Sequence, residues 1–333
     1  MSIRLPAVLA VSTLLACAVG CGEKGESEAE VMARQNAAQR AVLAGKLERL
    51  QDELQARRAL VRARRQRQAR QQVEEPTAAT ADAAGAGSFE RMAASLAGEV
   101  GAVIGPPGSS EADAFGSLQS GSAWSTSKVP IALRVLEDVG GPSGLSSAQA
   151  EQMRSALTLS DNEAAADLFA YLERRHGGLG GASAAVEEVL RDGGDASTRV
   201  STEGRGEFST YGQTEWALAN QEQFMSSLAA RCVVGPESSD YVLGLMGEVS
   251  SDTWGLGSAG LPARWKGGWG PGVDGGYLVR QMGILYVGEE QAVVTLAARP
   301  ADGQFATGES MATTVAQWLA KQAPHYAANP VGC

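Results

Sequence analysis

Residues 125–133 read Ser125-Thr126-Ser127-Lys128-Val129-Pro130-Ile131-Ala132-Leu133, which joins a Ser-x-x-Lys pattern to an apolar run. A serine and a lysine three positions apart project from the same side of a helix. At a helix start, unsatisfied amides and the helix dipole favour negative charge on the serine oxygen. Burial disfavours the ammonium form of lysine, so Lys128 as a free amine can accept the proton of Ser125. The segment therefore predicts a nucleophile and its base without a histidine.

A second segment, Ser160-Asp161-Asn162, lies within helical sequence further along the chain. The hydroxyl of Ser160 can relay a proton toward a leaving group, and the Asn162 amide can hold a substrate carbonyl. Serine and aspartate are also common helix caps. The residues alone leave both interpretations open.

A third segment, Lys266-Gly267-Gly268-Trp269, precedes a strand pattern. A glycine-lined edge strand lets the backbone of a substrate pair with it, and Lys266 adds positive charge. A phosphate-binding loop is excluded as far as a pattern can exclude it, because no Gly-Lys-Ser/Thr follows a run of glycines.

The segments around these motifs predict an α+β fold. Helices are expected at 89–97 and 311–322, strands at 99–104, 114–118, 277–287 and 292–298, and helices through most of the sequence between, up to about Gly247. Strands at both ends of a helical block favour one antiparallel sheet assembled from distant segments.

Together the three motifs resemble those of the penicillin-recognising serine enzymes, the superfamily of class A beta-lactamases and penicillin-binding transpeptidases. The resemblance spans roughly residues 88–325 and is closest to class A. It implies an antiparallel sheet flanked by helices, a helical subdomain, and an acyl-enzyme mechanism. The catalytic domain is assigned to residues 88–333.

The same resemblance implies a role for each motif residue. Ser125 would be the acylated nucleophile, Lys128 its general base, and Ser160 a proton relay. Asn162 would bind the substrate amide, and Lys266 would support the proton network and attract a carboxylate.

Residues of the third motif and of the strand that follows it would complete the substrate-binding site. Gly267, Gly268 and Trp269 would line the substrate strand, and the backbone amides of Ser125 and Trp269 would form the oxyanion hole. Arg280 falls near the position where class A enzymes keep a carboxylate-binding arginine.

Two departures from class A bear on turnover. Gly267 replaces the usual Thr or Ser, so a hydroxyl that contacts the substrate carboxylate is missing. The class A Glu-x-x-Leu-Asn loop, whose glutamate activates the deacylating water, has no counterpart between Thr198 and Thr214. Glu203 is the nearer substitute, with Glu207 behind it, although such glutamates are commonly surface residues. We therefore expect acylation with slow beta-lactam turnover.

The first 21 residues are typical of a bacterial lipoprotein signal peptide. Lipidation is expected at Cys21 or Cys17, which would anchor the mature protein to the membrane outside the cytoplasm. Cleavage before Cys21 leaves Cys232 and Cys333 as a pair, which favours a disulfide in an exported protein.

Residues 22–75 are predicted to form a charged helical stalk. Leucines at 43, 47, 50 and 54 follow a coiled-coil spacing, which allows oligomerisation, but Arg57 interrupts the repeat, so a solitary helix is the alternative. Seven arginines between Arg57 and Arg70 can contact anionic lipid or wall polymer, or form a solvated face. Residues 76–87 are predicted to be a flexible linker.

Composition narrows the range of partners. The net charge of −10 argues against nucleic-acid binding, and two histidines argue against a multi-histidine metal cage, so no cofactor or metal is expected. The predicted partner is a small molecule or a peptidoglycan peptide with an amide or ester. The alternative is a non-catalytic lipoprotein that binds peptidoglycan or a protein, with Trp265 and Trp269 as its platform.

Overall fold

The computed structural model describes residues 81–330 and Gly332. The predicted signal peptide, the lipidation candidates Cys17 and Cys21, and the predicted stalk lie outside these residues and stay predictions. Cys333 also lies outside them, so its disulfide with Cys232 stays a prediction as well.

The described residues form five strands and eight α-helices. In chain order these are α1 (Ala81–Ala94), β1 (Gly98–Gly105), β2 (Asp113–Gly116), α2 (Lys128–Val139), α3 (Ser147–Thr158), α4 (Asn162–His176), α5 (Leu179–Asp192), α6 (Leu218–Ala229), α7 (Pro236–Met246), β3 (Ala263–Pro271), β4 (Tyr277–Val287), β5 (Glu290–Pro300) and α8 (Phe305–Tyr326). None of these helices is long and apolar enough to cross a bilayer.

The five strands make one antiparallel sheet in the order β2-β1-β5-β4-β3. Strand β1 pairs with β5 from Gly98 opposite Pro300 to Gly105 opposite Val293. The predicted assembly of one sheet from distant segments is therefore confirmed. The order leaves β3 at an edge of the sheet.

Helices cover both faces of the sheet, which explains why β4 and β5 are almost continuously buried. Helix α8 packs on one face together with α1, where Trp318 and Phe89 meet edge to face at 4.9 Å. Helix α6 packs on the other face. The sheet is thereby held between two layers, with β3 beside the helical subdomain.

Helix α2 is the centre of that subdomain. Its first six residues are all buried, as expected for a helix that is enclosed on every side. Helices α4, α5 and α7 surround it. This packing fixes the start of α2, and with it the Ser-x-x-Lys motif, next to the sheet edge.

Several boundaries differ from the sequence predictions; the helix predicted at 311–322, for example, runs from Phe305 to Tyr326. Helix α1 begins at Ala81, inside the predicted linker 76–87, because its alanines favour helix. The Lys266 motif lies within strand β3 rather than ahead of a strand. Its two adjacent glycines weaken the strand pattern in the sequence.

Candidate active site

The candidate nucleophile lies in a tight turn at the start of α2. Ser125 belongs to a 3-10 turn, Trp124–Ser127, which continues directly into the helix at Lys128. Trp124 has a left-handed backbone with φ of 48°, an uncommon conformation for a side chain of this size. The Thr126 hydroxyl donates to Ala123 O at 2.6 Å and the Ser127 hydroxyl to Trp124 O at 2.6 Å. The turn is therefore fixed from within, and Ser125 is half-buried between buried neighbours.

The amine of Lys128 reaches the second motif. Its Nζ donates to Ser160 O at 2.7 Å, to Asp161 O at 3.2 Å and to Asn162 Oδ1 at 2.8 Å. These three acceptors match the three donors of an ammonium group. Among the described residues, the Ser125 hydroxyl makes no hydrogen bond, so Lys128 must release an acceptor to take its proton.

The environment of Lys128 allows the amine to lose its proton near neutral pH. Burial, followed by the positive charge of Lys266, lowers the pKa of Lys128 to about 7, although the carboxylates of Asp161 and Asp252 oppose the shift. Lys128 can therefore exist as a neutral amine under ordinary conditions.

The two roles considered for the second motif fall on different residues. Asp161 caps α4, since its Oδ1 accepts from the amides of Glu163 and Ala164. Ser160 has a left-handed backbone, and its hydroxyl accepts from Lys266 Nζ at 2.9 Å. The cap therefore holds Ser160 between the two lysines.

Strand β3 lies directly against the nucleophile turn. A Cβ added at Gly268 would come within 2.9 Å of Ser125 N, 3.0 Å of Thr126 N and 2.8 Å of Ala123 O. No side chain fits there, so this glycine is required by contact with the protein's own turn.

Lys266 approaches the site from the same strand and is fully buried. It also donates to Gly267 O at 2.9 Å, and burial lowers its pKa while Asp252 opposes the shift. The structure thus brings Ser125, Lys128, Ser160, Asn162 and Lys266 to one place at the edge of the sheet.

Glu203 and Glu207 are exposed on the loop that follows α5. The Glu203 backbone bonds with the Ser201 hydroxyl, and none of the described hydrogen bonds or ion pairs joins either carboxylate to the motif residues. The loop contacts the site instead through Arg205, whose guanidinium lies 5.7 Å from the Trp124 ring centroid and donates to Gly272 O at 2.9 Å. The structure gives no support to water activation by Glu203.

Arg280 does not have the role that the resemblance implied. Its buried guanidinium donates to Gly121 O at 2.6 Å, to Trp216 O at 3.0 Å and to Gln221 Oε1 at 2.8 Å. These contacts lie on the α6 side of the sheet and leave Arg280 engaged in internal structure rather than free for a substrate carboxylate. Gln221 in turn donates to Thr126 Oγ1 at 3.0 Å, which ties Arg280 to the nucleophile turn.

Sequence reasoning missed Gln221 and Asp252. Asp252 is fully buried, its Oδ1 accepts from the Ser251 hydroxyl at 2.7 Å, and its Oδ2 has no partner among the described residues. Neither residue belongs to a local motif, so only the fold shows that they support the site.

The two tryptophans beside Lys266 differ in exposure. Trp265 is buried and donates to Asp252 O at 3.0 Å, so it packs in the core. Trp269 is half-buried, and its ring centroid lies 6.1 Å from Trp254 and 5.7 Å from Phe305. Of the two, Trp269 is the better placed to contact a ligand.

No family model and no curated protein matches the chain in sequence. Solved structures do match it in fold. A point mutant of the class A beta-lactamase of the last common ancestor of Gram-negative bacteria aligns with a TM-score of 0.57 at 18% identity, over 72% of this chain and 98% of that one. A beta-lactamase from Streptosporangium roseum gives 0.55 at 15% identity, over 72% and 100%.

A putative class A beta-lactamase from Rhodopseudomonas palustris gives a TM-score of 0.53 at 20% identity, over 70% of this chain and 98% of that one. These alignments cover almost the whole of each neighbour. This chain therefore has the class A beta-lactamase fold.

Proposed function

We propose that the chain is a serine acyl-transfer enzyme that forms an acyl-enzyme on Ser125 with an amide or ester substrate. The observation that carries the proposal is the placement of Lys128, a buried amine with its pKa near 7, one helical turn after Ser125 and bonded to the Ser160 segment. An amine with this pKa can exchange a proton with the Ser125 hydroxyl near neutral pH.

Acylation follows from these groups. Neutral Lys128 has two N–H donors for its three acceptors, so its lone pair can turn to the Ser125 hydroxyl and accept the proton as Ser125 Oγ attacks the substrate carbonyl. When the tetrahedral intermediate collapses, the bond to the leaving group breaks, and the proton passes from Lys128 through the Ser160 hydroxyl to that group. Lys266 keeps the Ser160 hydroxyl in place through its 2.9 Å hydrogen bond.

Release of the acyl group is expected to be slow. The carboxylates of Glu203 and Glu207 are exposed and make no described contact with the motif residues, so water lacks an evident base beside the ester. A long-lived acyl-enzyme suits transfer to an amine or slow hydrolysis better than rapid beta-lactam destruction.

The substrate class and location extend the same proposal. The fold neighbours named as beta-lactamases support a beta-lactam-like acyl donor, and the motif resemblance to penicillin-binding transpeptidases supports a wall-peptide-like one. The signal sequence supports an extracytoplasmic, lipid-anchored enzyme that meets such donors in the cell envelope. A D,D-peptidase and a small-ester hydrolase both fit this description.

Thiol release from a small thioester tests the proposal. The parent protein is expected to release thiol at a rate that Ser125→Ala abolishes, with nitrocefin turned over more slowly. The proposal would be overturned if the parent showed neither Ser125-dependent thiol release from the thioester nor Ser125-dependent hydrolysis of nitrocefin.

The second candidate is a non-catalytic binding module. It is favoured by the Ser125 hydroxyl, which makes no hydrogen bond to Lys128 among the described contacts. It is also favoured by half-buried Trp269, which would line the substrate groove that we propose between β3 and the start of α2. Retention on purified peptidoglycan by Ser125→Ala, with unchanged cellular function, would support the module over the enzyme.

A further inference from the structure

Asp252 is a buried carboxylate behind the Lys266 motif, and the acylation chemistry does not use it. Its Oδ2 has no hydrogen-bond partner among the described residues, although the side chain is fully buried. A buried oxygen without a hydrogen bond destabilises the fold, so the presence of Asp252 here calls for an explanation.

The free oxygen is aimed at Gly267. A Cβ added at Gly267 would overlap Asp252 Oδ2 and lie 3.0 Å from Asp252 Cγ. The carboxylate thus fills the space into which a threonine or serine at this position would project. The absence of a side chain at Gly267 and the position of the Asp252 carboxylate therefore depend on each other.

Asp252 also supplies a negative charge close to both lysines. It acts to raise the pKa of Lys266 and the pKa of Lys128, against the effect of burial. Lys266 therefore has a counter-charge within the protein, and a substrate carboxylate beside Gly267 would meet a like charge in a poorly solvated place.

The surroundings of this end of the groove are aromatic. Trp254, two residues after Asp252, packs against Trp269 and Phe305, and all three rings are half-buried. Such a wall suits an uncharged group.

We propose that Asp252, seated against the bare backbone of Gly267, makes the Lys266 end of the groove reject a substrate carboxylate and accept an uncharged group. The inference rests on the proposed function, which identifies the groove as the place where the substrate binds. It narrows the substrate class to acyl donors that are neutral at this position, such as amidated or esterified peptides.

The test is equilibrium binding in a Ser125→Ala background, measured by ligand-observed NMR. The probes are a blocked D-alanyl-D-alanine dipeptide with a free carboxylate and the same dipeptide as its C-terminal amide. We expect the amide to bind roughly tenfold more tightly, and Asp252→Asn to bring the two affinities to within about twofold. The matched control Asp274→Asn, an exposed charge on the β3–β4 turn, should leave the ratio unchanged.

A preference for the carboxylate, equal or undetectable binding of both probes, or a ratio that Asp252→Asn does not alter would overturn the proposal. Binding in Ser125→Ala does not depend on acylation, so a parent that releases no thiol while Ser125→Ala still prefers the amide would overturn the proposed function and leave this inference standing.

A second variant keeps the test usable if Asp252→Asn does not fold. Gly267→Thr alone should lower the melting temperature, because its side chain overlaps the carboxylate. Combined with Asp252→Ala, it should regain stability and favour the carboxylate probe. Equal melting temperatures for the single and double variants would count against the steric coupling.

Discussion

At the scale of single residues, the chemistry depends on whether Lys128 carries a proton. Burial and the charge of Lys266 bring its pKa to about 7, so the amine is protonated below that pH and neutral above it. Since only the neutral amine accepts the Ser125 proton, the acylation rate should rise with pH through about 7 and then level off. Stopped-flow acylation by a thioester across the pH range around that pKa measures this, and a flat or falling profile would contradict it.

Gln221 links a buried guanidinium to the nucleophile turn, so Gln221→Met should be costly. The change removes the bonds to Arg280 and Thr126 while keeping the side-chain volume. We expect a loss of about 2–4 kcal/mol in the free energy of unfolding, measured with urea. Gln317→Met, on the exposed side of α8, serves as control and should change stability little. Similar effects of the two substitutions would refute the assigned link.

The motif residues were predictable because their signal is local. Ser125 and Lys128 share one helical turn, and Asp161 precedes its own helix. Arg280 was misassigned for a physical reason. Arg280 and Gln281 project to opposite faces of β4, and the alternation of side chains along a strand does not indicate which face packs against α6 and which lies near Asp252. Gln281 contacts the backbone of Asp252, while Arg280 points toward α6.

At the scale of elements, the close approach of β3 to the start of α2 shapes the groove. Gly268→Ala should push the strand away from Ser125 and lower the acylation rate at least about 100-fold, because oxyanion stabilisation depends on fixed amides. Gly180→Ala in α5 meets nothing within 4 Å and should instead stabilise the helix by about 0.5–1 kcal/mol. Acylation by Gly268→Ala at the parent's rate would show that the contact is dispensable.

Helix α6 carries the buried carboxyl of Glu222, which lies against Gly105. Burial raises its pKa to about 8, so between the unfolded value near 4.5 and about 8 the folded state holds a proton that the unfolded chain has lost. The stability of the fold therefore falls across this interval as pH rises, and the penalty from Glu222 is largest above about pH 8. Glu222→Gln should be more stable than the parent above that pH, with the advantage shrinking toward the unfolded pKa.

Thermal melts of both proteins across this pH range check the prediction for Glu222. A stability difference that does not vary with pH would mean that the folded protein does not hold the carboxyl in its protonated form.

At the scale of the whole molecule, composition and pattern were sufficient for the antiparallel sheet and its helical block. They were not sufficient for Asp252, which meets Gly267 only after the chain has passed through a short turn and into β3. Its acidic side chain carries no spacing signal, and its meaning comes from the glycine it faces. A contact between two residues that belong to no sequence motif can be recognised only in the folded structure.

The most direct measurement of the central claim is an intact-mass time course after treatment with a fluorescent penicillin methyl ester, which lacks the free carboxylate that Asp252 is proposed to reject. The parent is expected to gain one penicilloyl adduct on Ser125 that decays slowly, with no adduct in Ser125→Ala and strongly slowed labelling in Lys128→Arg, whose guanidinium stays protonated. An unlabelled parent, or equal labelling of the parent and Ser125→Ala, would contradict covalent chemistry at this serine.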